Sequence, residues 1–177
     1  MSGVSLLLAA YAFGLLYEGF IADKYSGLLT YPFVDRAAAQ RAYQRLSPNA
    51  PVAERMVASY RLAEADPANP DSWNAVADAE YRKSGGVFTP KVLTALDHSY
   101  AVSFYDRTGV VWRICFALEN WNALTPELRK DVMTEAGVAL QQPNVAPELK
   151  SRLKAIRNPS GRLTAYLLMA DPKAVPN

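Results

Sequence analysis

Few residues in this chain have the type and spacing that chemistry demands. His98 is the only histidine and sits beside Asp97 in a helical stretch. Adjacent helical side chains diverge and make no ready dyad, so a structural or solvent-facing histidine is a better reading than a general base. Cys115 is the single cysteine, so neither an intramolecular disulfide nor a Cys-x-x-Cys metal site can form. It follows Trp112 by three positions, with Phe116 next to it, which reads as a buried thiol. A reactive thiol needs a cationic neighbour, and only Arg113 is close in sequence. Asp78 and Glu80 are two apart and diverge on a helix, which makes them weak as a carboxylate pair. Ser84-Gly85-Gly86 lacks the rest of a phosphate loop. There is no G-x-S-x-G, no H-E-x-x-H and no dinucleotide-binding glycine pattern. The expectation is a protein that is not an enzyme, with no cofactor and no metal.

The bulk composition supports a folded chain. Its 177 residues can hold one domain plus a short appendage. Half of them are hydrophobic, and 20% are charged with mixed sign, which excludes global disorder. A net charge of +2, without a Lys/Arg cluster of more than a few residues, sets nucleic acid aside as a partner.

The elements that would position any site repeat. Residues 66–82, DPANPDSWNAVADAEYR, read as a turn and a helix, and the outline returns at 105–121, YDRTGVVWRICFALENW. Trp73 and Trp112 lie 39 apart, and Glu80 and Glu119 follow them by seven in each copy. A second kind of helix opens at Thr89-Pro90 and again at Thr125-Pro126. Threonine accepts a bond as N-cap, and proline fits the first helical position. Counted from those starts, Val102 matches Val138 and Phe104 matches Leu140, so the helices run A-B-A-B. Asp71 is expected to cap the helix of Trp73, Val76, Ala77 and Tyr81, which ends at KSGG, residues 83–86. Two further helices precede it, over 35–46 with Asp35 as cap and over about 52–65. A short basic helix at 148–157, a turn at 158–161 and an apolar helix at 162–170 follow, with a frayed tail at 171–177. Leu163, Tyr166, Leu167 and Met169 are expected to close the open end of the stack, with partner contact as the alternative.

Residues 66–140 resemble tetratricopeptide repeats, whose pattern begins with a DPxNPxxW-like turn and helix A, followed by helix B and a proline-bearing turn. DPANPDSW carries that start. Ala77 supplies the small residue four after Trp73, whereas Phe116 stands at the corresponding place after Trp112. Glutamates 80 and 119 replace the expected aromatic. The offset of 39 exceeds the family's roughly 34 through a longer loop at 84–88. The resemblance implies an all-α fold of TPR-like antiparallel hairpins, an α-solenoid over residues 35–170, acting as a protein-binding scaffold. Its concave face, lined mostly by A helices, is expected to expose Asn74, Asp78, Arg82, Arg113 and Asn120.

Ahead of the helices, residues 4–22, VSLLLAAYAFGLLYEGFIA, carry one charge, Glu18. About 20 apolar residues span a bilayer. Met1–Gly3 lacks the Lys or Arg of a secretory signal, and no small-x-small cleavage site follows. The expectation is a single uncleaved anchor over residues 1–25, joined by a linker at 26–34. Tyr17, Tyr25 and Tyr31 suit the interfacial belt. Gly14, Glu18 and Gly19 are expected to contact another membrane helix. Burial of 4–22 inside a soluble bundle is the alternative. Orientation stays open: Lys24, Arg36, Arg41 and Arg45 favour a cytoplasmic domain, but small bacterial envelope proteins of this layout often export theirs.

Three functions follow. The first is a membrane-anchored adaptor, placed in a bacterial-type inner membrane, which binds a membrane-associated protein partner and the bilayer. The second is an accessory subunit of a membrane enzyme or transporter. The third is a soluble helical enzyme or ligand-binding domain.

Overall fold

The structure, a computed structural model, describes residues 32–105 and 108–171, with Pro32–Val34 as backbone only. The described chain is all-α, with eight α-helices, one short 3-10 turn and no strand. No helix among the described residues is long and apolar enough to cross a membrane. The expected anchor, with Gly14, Glu18 and Gly19, lies outside them, as does most of the expected linker and tail. The chain divides into two units, Met1–Pro67 and Ala68–Asn177.

In the first unit, α1 (Pro32–Gln44) packs against α2 (Val52–Ala65). Helix α1 opens at Pro32 rather than at Asp35, so the last three residues of the expected linker are helical. Proline has no N–H to lose in a first turn. Asp35 sits within that turn, where a carboxylate faces the positive end of the helix. The Arg55 guanidinium donates to the carbonyls of Ser47 (3.1 Å) and Pro48 (3.2 Å), which ties the turn to α2. Arg36 pairs with Asp66 at 3.0 Å.

The second unit holds α3 (Pro70–Lys83), α4 (Pro90–Val102), α5 (Val110–Glu119), the 3-10 turn Trp121–Ala123, α6 (Pro126–Leu140), α7 (Ala146–Leu153) and α8 (Pro159–Ala170). Four of these helices open in one way, with a polar cap followed by proline. The side chains of Asn69, Thr89, Thr125 and Asn158 accept from the N–H groups of Asp71, Val92, Leu128 and Gly161. Two expectations are corrected here. Asn69, not Asp71, caps α3, since Asp71 is already helical. Residues 158–161 are the cap and first turn of α8 rather than a separate turn. The basic helix α7 also ends earlier than expected, at Leu153. Gly85 and Gly86 take φ of +68° and +85° after α3, the left-handed geometry that glycine supplies at a helix exit.

Helix α5 is central and contributes to two apolar clusters. On one side Ala117 meets Leu96 and Tyr100 of α4 and Leu128 and Val132 of α6. On the other, Ile114 and Leu118 meet Ala136 of α6, Leu149 and Leu153 of α7 and Leu168 of α8. Helix α8 runs so close to α5 that a Cβ at Gly161 would lie 1.9 Å from the Leu118 carbonyl oxygen. The Glu119 carboxylate accepts the N–H groups of Arg157 (3.0 Å) and Asn158 (3.1 Å) just before α8 begins. The inward face of α8 is Gly161, Ala165 and Leu168, with Met169 packed against the core. Leu163, Tyr166 and Leu167, expected to close the stack, instead point outward and are more than half exposed.

Candidate functional site

The expected concave-face residues separate into two groups. Asn74 and Arg113, expected to be exposed, are buried. They belong to a polar network inside the second unit. The Arg113 guanidinium is fully buried and spends all five N–H donors. It meets both oxygens of the buried Glu135 carboxylate, the carbonyl and hydroxyl of Ser99, and the Phe104 carbonyl. It also stacks over the Tyr100 ring at 4.0 Å. The Tyr100 hydroxyl donates to Glu135 at 2.8 Å, and the Ser99 hydroxyl donates to Asn74 Oδ1 at 2.8 Å. Burial, and then the Glu135 carboxylate, hold the Tyr100 phenol well above its ordinary pKa, against the opposing pull of Arg113. This network satisfies buried charge and leaves no reactive atom open to a substrate.

The reason for the misplacement is rotational. Successive residues lie about 100° apart round a helix, so placing Arg113 on the outer face turns the whole of α5 one step. The inward positions are instead Val110, Arg113, Ile114, Ala117 and Leu118. Trp112 retains 36% exposure.

The other expected residues lie nearer the surface. Arg82 Nε donates to Asp78 at 2.8 Å, an i,i+4 pair with Arg82 half exposed. Asn120 donates to the Phe116 carbonyl at 2.8 Å. Of the five, only Asn120 lines a cleft of this unit, a groove of about 840 Å³. Along one wall, Trp112 and Phe116 stack at 4.7 Å and 13°, one turn apart on α5. Tyr81 of α3 meets Phe116 edge-on at 5.1 Å. The other wall is α7 and the turn after it, with Glu148, Arg152 and Arg157. Sequence reasoning marked Trp112 as a repeat feature and residues 148–157 as basic, but nothing local brings them face to face.

Cys115 opens into this cleft. Burial pushes its thiol up to about 11, against a lowering pull from Arg152. The cation that reaches it is therefore Arg152 rather than Arg113, and desolvation wins. Thiolate at pH 7 is then roughly a hundredfold scarcer than for an ordinary thiol. Iodoacetamide at pH 7 is expected to label the folded chain at least tenfold more slowly than the urea-unfolded chain, followed by intact mass. The native rate should climb through pH 10–11. Equal rates at pH 7 would rule out the buried, protonated thiol.

His98 is exposed and meets Trp73 edge-on at 4.7 Å. Among the described residues no cluster of three or more His, Cys, Asp or Glu side chains is placed to hold a metal. Among its described residues the second unit is thus all-α, with an aromatic and basic groove. No family model, curated protein or solved structure matches the chain.

Proposed function

We propose that the chain is a membrane-anchored scaffold of TPR-like hairpins that docks a protein partner in a bacterial-type envelope or membrane assembly. The observation that carries this reading is the cleft. Helices α3 and α5 present aromatic faces there, and α7 with the turn after it presents guanidinium groups, while the side chains of Cys115 and Glu119 are occupied otherwise. Cys115 is held protonated, and Glu119 accepts two backbone N–H groups. Such a groove offers area and charge rather than a reaction centre.

The repeat part of the reading is supported by the buried network. Asn74 on α3 and Arg113 on α5 stand 39 apart, like Trp73 and Trp112. Ser99 on α4 and Glu135 on α6 stand 36 apart, like Thr89 and Thr125. Matched positions on matched helices therefore supply the polar groups that meet. The anchor rests on the composition of residues 4–22. Confinement to the bilayer would raise the effective concentration of a membrane-bound partner.

Alkaline carbonate extraction tests the tether. The full chain is expected in the membrane pellet, and a version starting at Ser26 in the supernatant, still helical by circular dichroism. A full chain that washes off, with a truncated version that unfolds, rejects the anchor in favour of a segment buried in the fold.

Glu18, the one charge in the apolar run, favours a second reading as an accessory subunit. Loss of co-purification with a membrane complex in Glu18→Leu, with the helical part still folded, would select it over the adaptor.

A further inference from the structure

We infer that the α5–α7 cleft receives a short acidic protein segment with one aromatic or branched aliphatic anchor residue. The inference rests on the scaffold reading and names the chemistry of its partner.

The aromatic wall supplies the anchor site. Trp112 and Phe116 form a stacked slab that stays partly open to solvent, with Tyr81 at its edge. Tryptophan half-buried in a groove is the side chain most often found at the energetic centre of an interface. The opposite wall supplies the sign of the charge. Arg152 and Arg157 line the cleft, and Lys150 and Lys154 stand exposed beside them. Arg152 faces Glu148 only at 3.9 Å, with both side chains about two-thirds exposed, a pair too weak and screened to commit it. Arg157 makes no ion pair among the described residues. Glu119 stands at the end of α5, whereas residues 148–157 of this wall carry four cations against the one carboxylate of Glu148. The free charge of the wall is therefore positive, and it faces an apolar slab across a groove of about 840 Å³. A guest that satisfies both walls is anionic and carries one bulky apolar side chain.

A protein segment fits better than the other polyanions. A phosphate on every nucleotide would meet Glu119 and Glu148 as well, whereas a peptide can set its carboxylates beside Arg152 and Arg157 alone. A bilayer surface calls for apolar side chains that protrude, and these are recessed in a groove.

The test uses the full chain in mild detergent. The probe is a short fluorescein-labelled peptide with four aspartates around one phenylalanine, followed by anisotropy. Saturable binding is expected, weakening as salt rises. It should weaken about tenfold or more in Trp112→Ala and in the double variant Arg152→Glu/Arg157→Glu. Matched thermal melts of all variants keep folding out of the comparison. Peptides with lysine for aspartate, or serine for phenylalanine, should bind at least tenfold more weakly. Undiminished binding by the charge-reversed variant, or equal binding of the lysine peptide, overturns the inference. So does the reverse pattern, in which a single-stranded oligonucleotide or phosphatidylglycerol vesicles depend on Arg152 and Arg157 while the peptide does not. A pull-down separates this failure from that of the scaffold. A partner still captured by the charge-reversed chain leaves the scaffold standing and removes the cleft, whereas a wild-type chain that captures no partner removes the scaffold.

Discussion

Arg113→Ala is expected to cost the folded second unit about 3–5 kcal/mol, because it strands the buried Glu135 carboxylate without its counter-charge. Both side chains are fully buried, out of reach of bulk solvent. Truncation also leaves the Ser99 and Phe104 carbonyls without their guanidinium donors and uncovers the Tyr100 ring. Each such loss adds to the penalty. Urea unfolding followed by circular dichroism reads it directly. Glu135→Ala should fall in the same range for the converse reason. Removing the whole group at once should hurt less. Replacing a buried ion pair with apolar residues of similar volume is often neutral. The triple variant Arg113→Met/Glu135→Leu/Tyr100→Phe is therefore expected to regain part of the stability lost by either single change, short of wild type because the Phe104 carbonyl and the Ser99 hydroxyl still lack the guanidinium. A single variant costing under about 1 kcal/mol would show that the pair does not hold the fold. A triple variant less stable than both singles would sink the compensation argument.

Gly161→Ala sets two effects of opposite sign against each other. In an open helix, alanine for glycine gains up to about 1 kcal/mol. At this position the new methyl carbon would lie 1.9 Å from the Leu118 carbonyl oxygen, and that obstacle is backbone rather than a side chain that can swing aside. Helix α8 must then lift from α5, loosening Ala165 and Leu168 in the core and the grip of Glu119 on the chain before α8. The clash wins, and a net loss of about 2–3 kcal/mol is expected. Hydrogen exchange should show it first in α8, with amides of Leu167–Ala170 losing protection before those of α3 and α4. An unchanged or raised melting temperature would mean that α8 does not sit this close.

How much of this was legible in the sequence depended on how local each signal was. Thr89-Pro90 and Thr125-Pro126 announced helix starts because cap and proline act within four residues. The same logic acts at Asn69-Pro70 and Asn158-Pro159, where asparagine serves turns and helix caps alike and the local pattern does not separate the two. Gly85 and Gly86 marked an exit for an equally local reason. The direction in which α5 faces was harder. A tryptophan suggests an interior, and an arginine suggests a surface, yet Arg113 is buried because Glu135 and Ser99 arrive from two other helices to receive it. Only tertiary packing supplies those partners. The cleft failed to appear for the same reason. The basic run after Glu148 was visible, as was Trp112, but the chain between them had to fold back before either became half of a groove. The all-α class was readable throughout, since proline, glycine and apolar spacing agree at every element.

The two N–H groups held by Glu119 have a consequence for any guest of the groove. One wall contributes the carboxylate and the other contributes the backbone at Arg157, so the walls are clasped at that end. The gap between them is set in advance, and a guest has little mouth to open or shape for itself, which is the condition under which modest contact area can still give tight association.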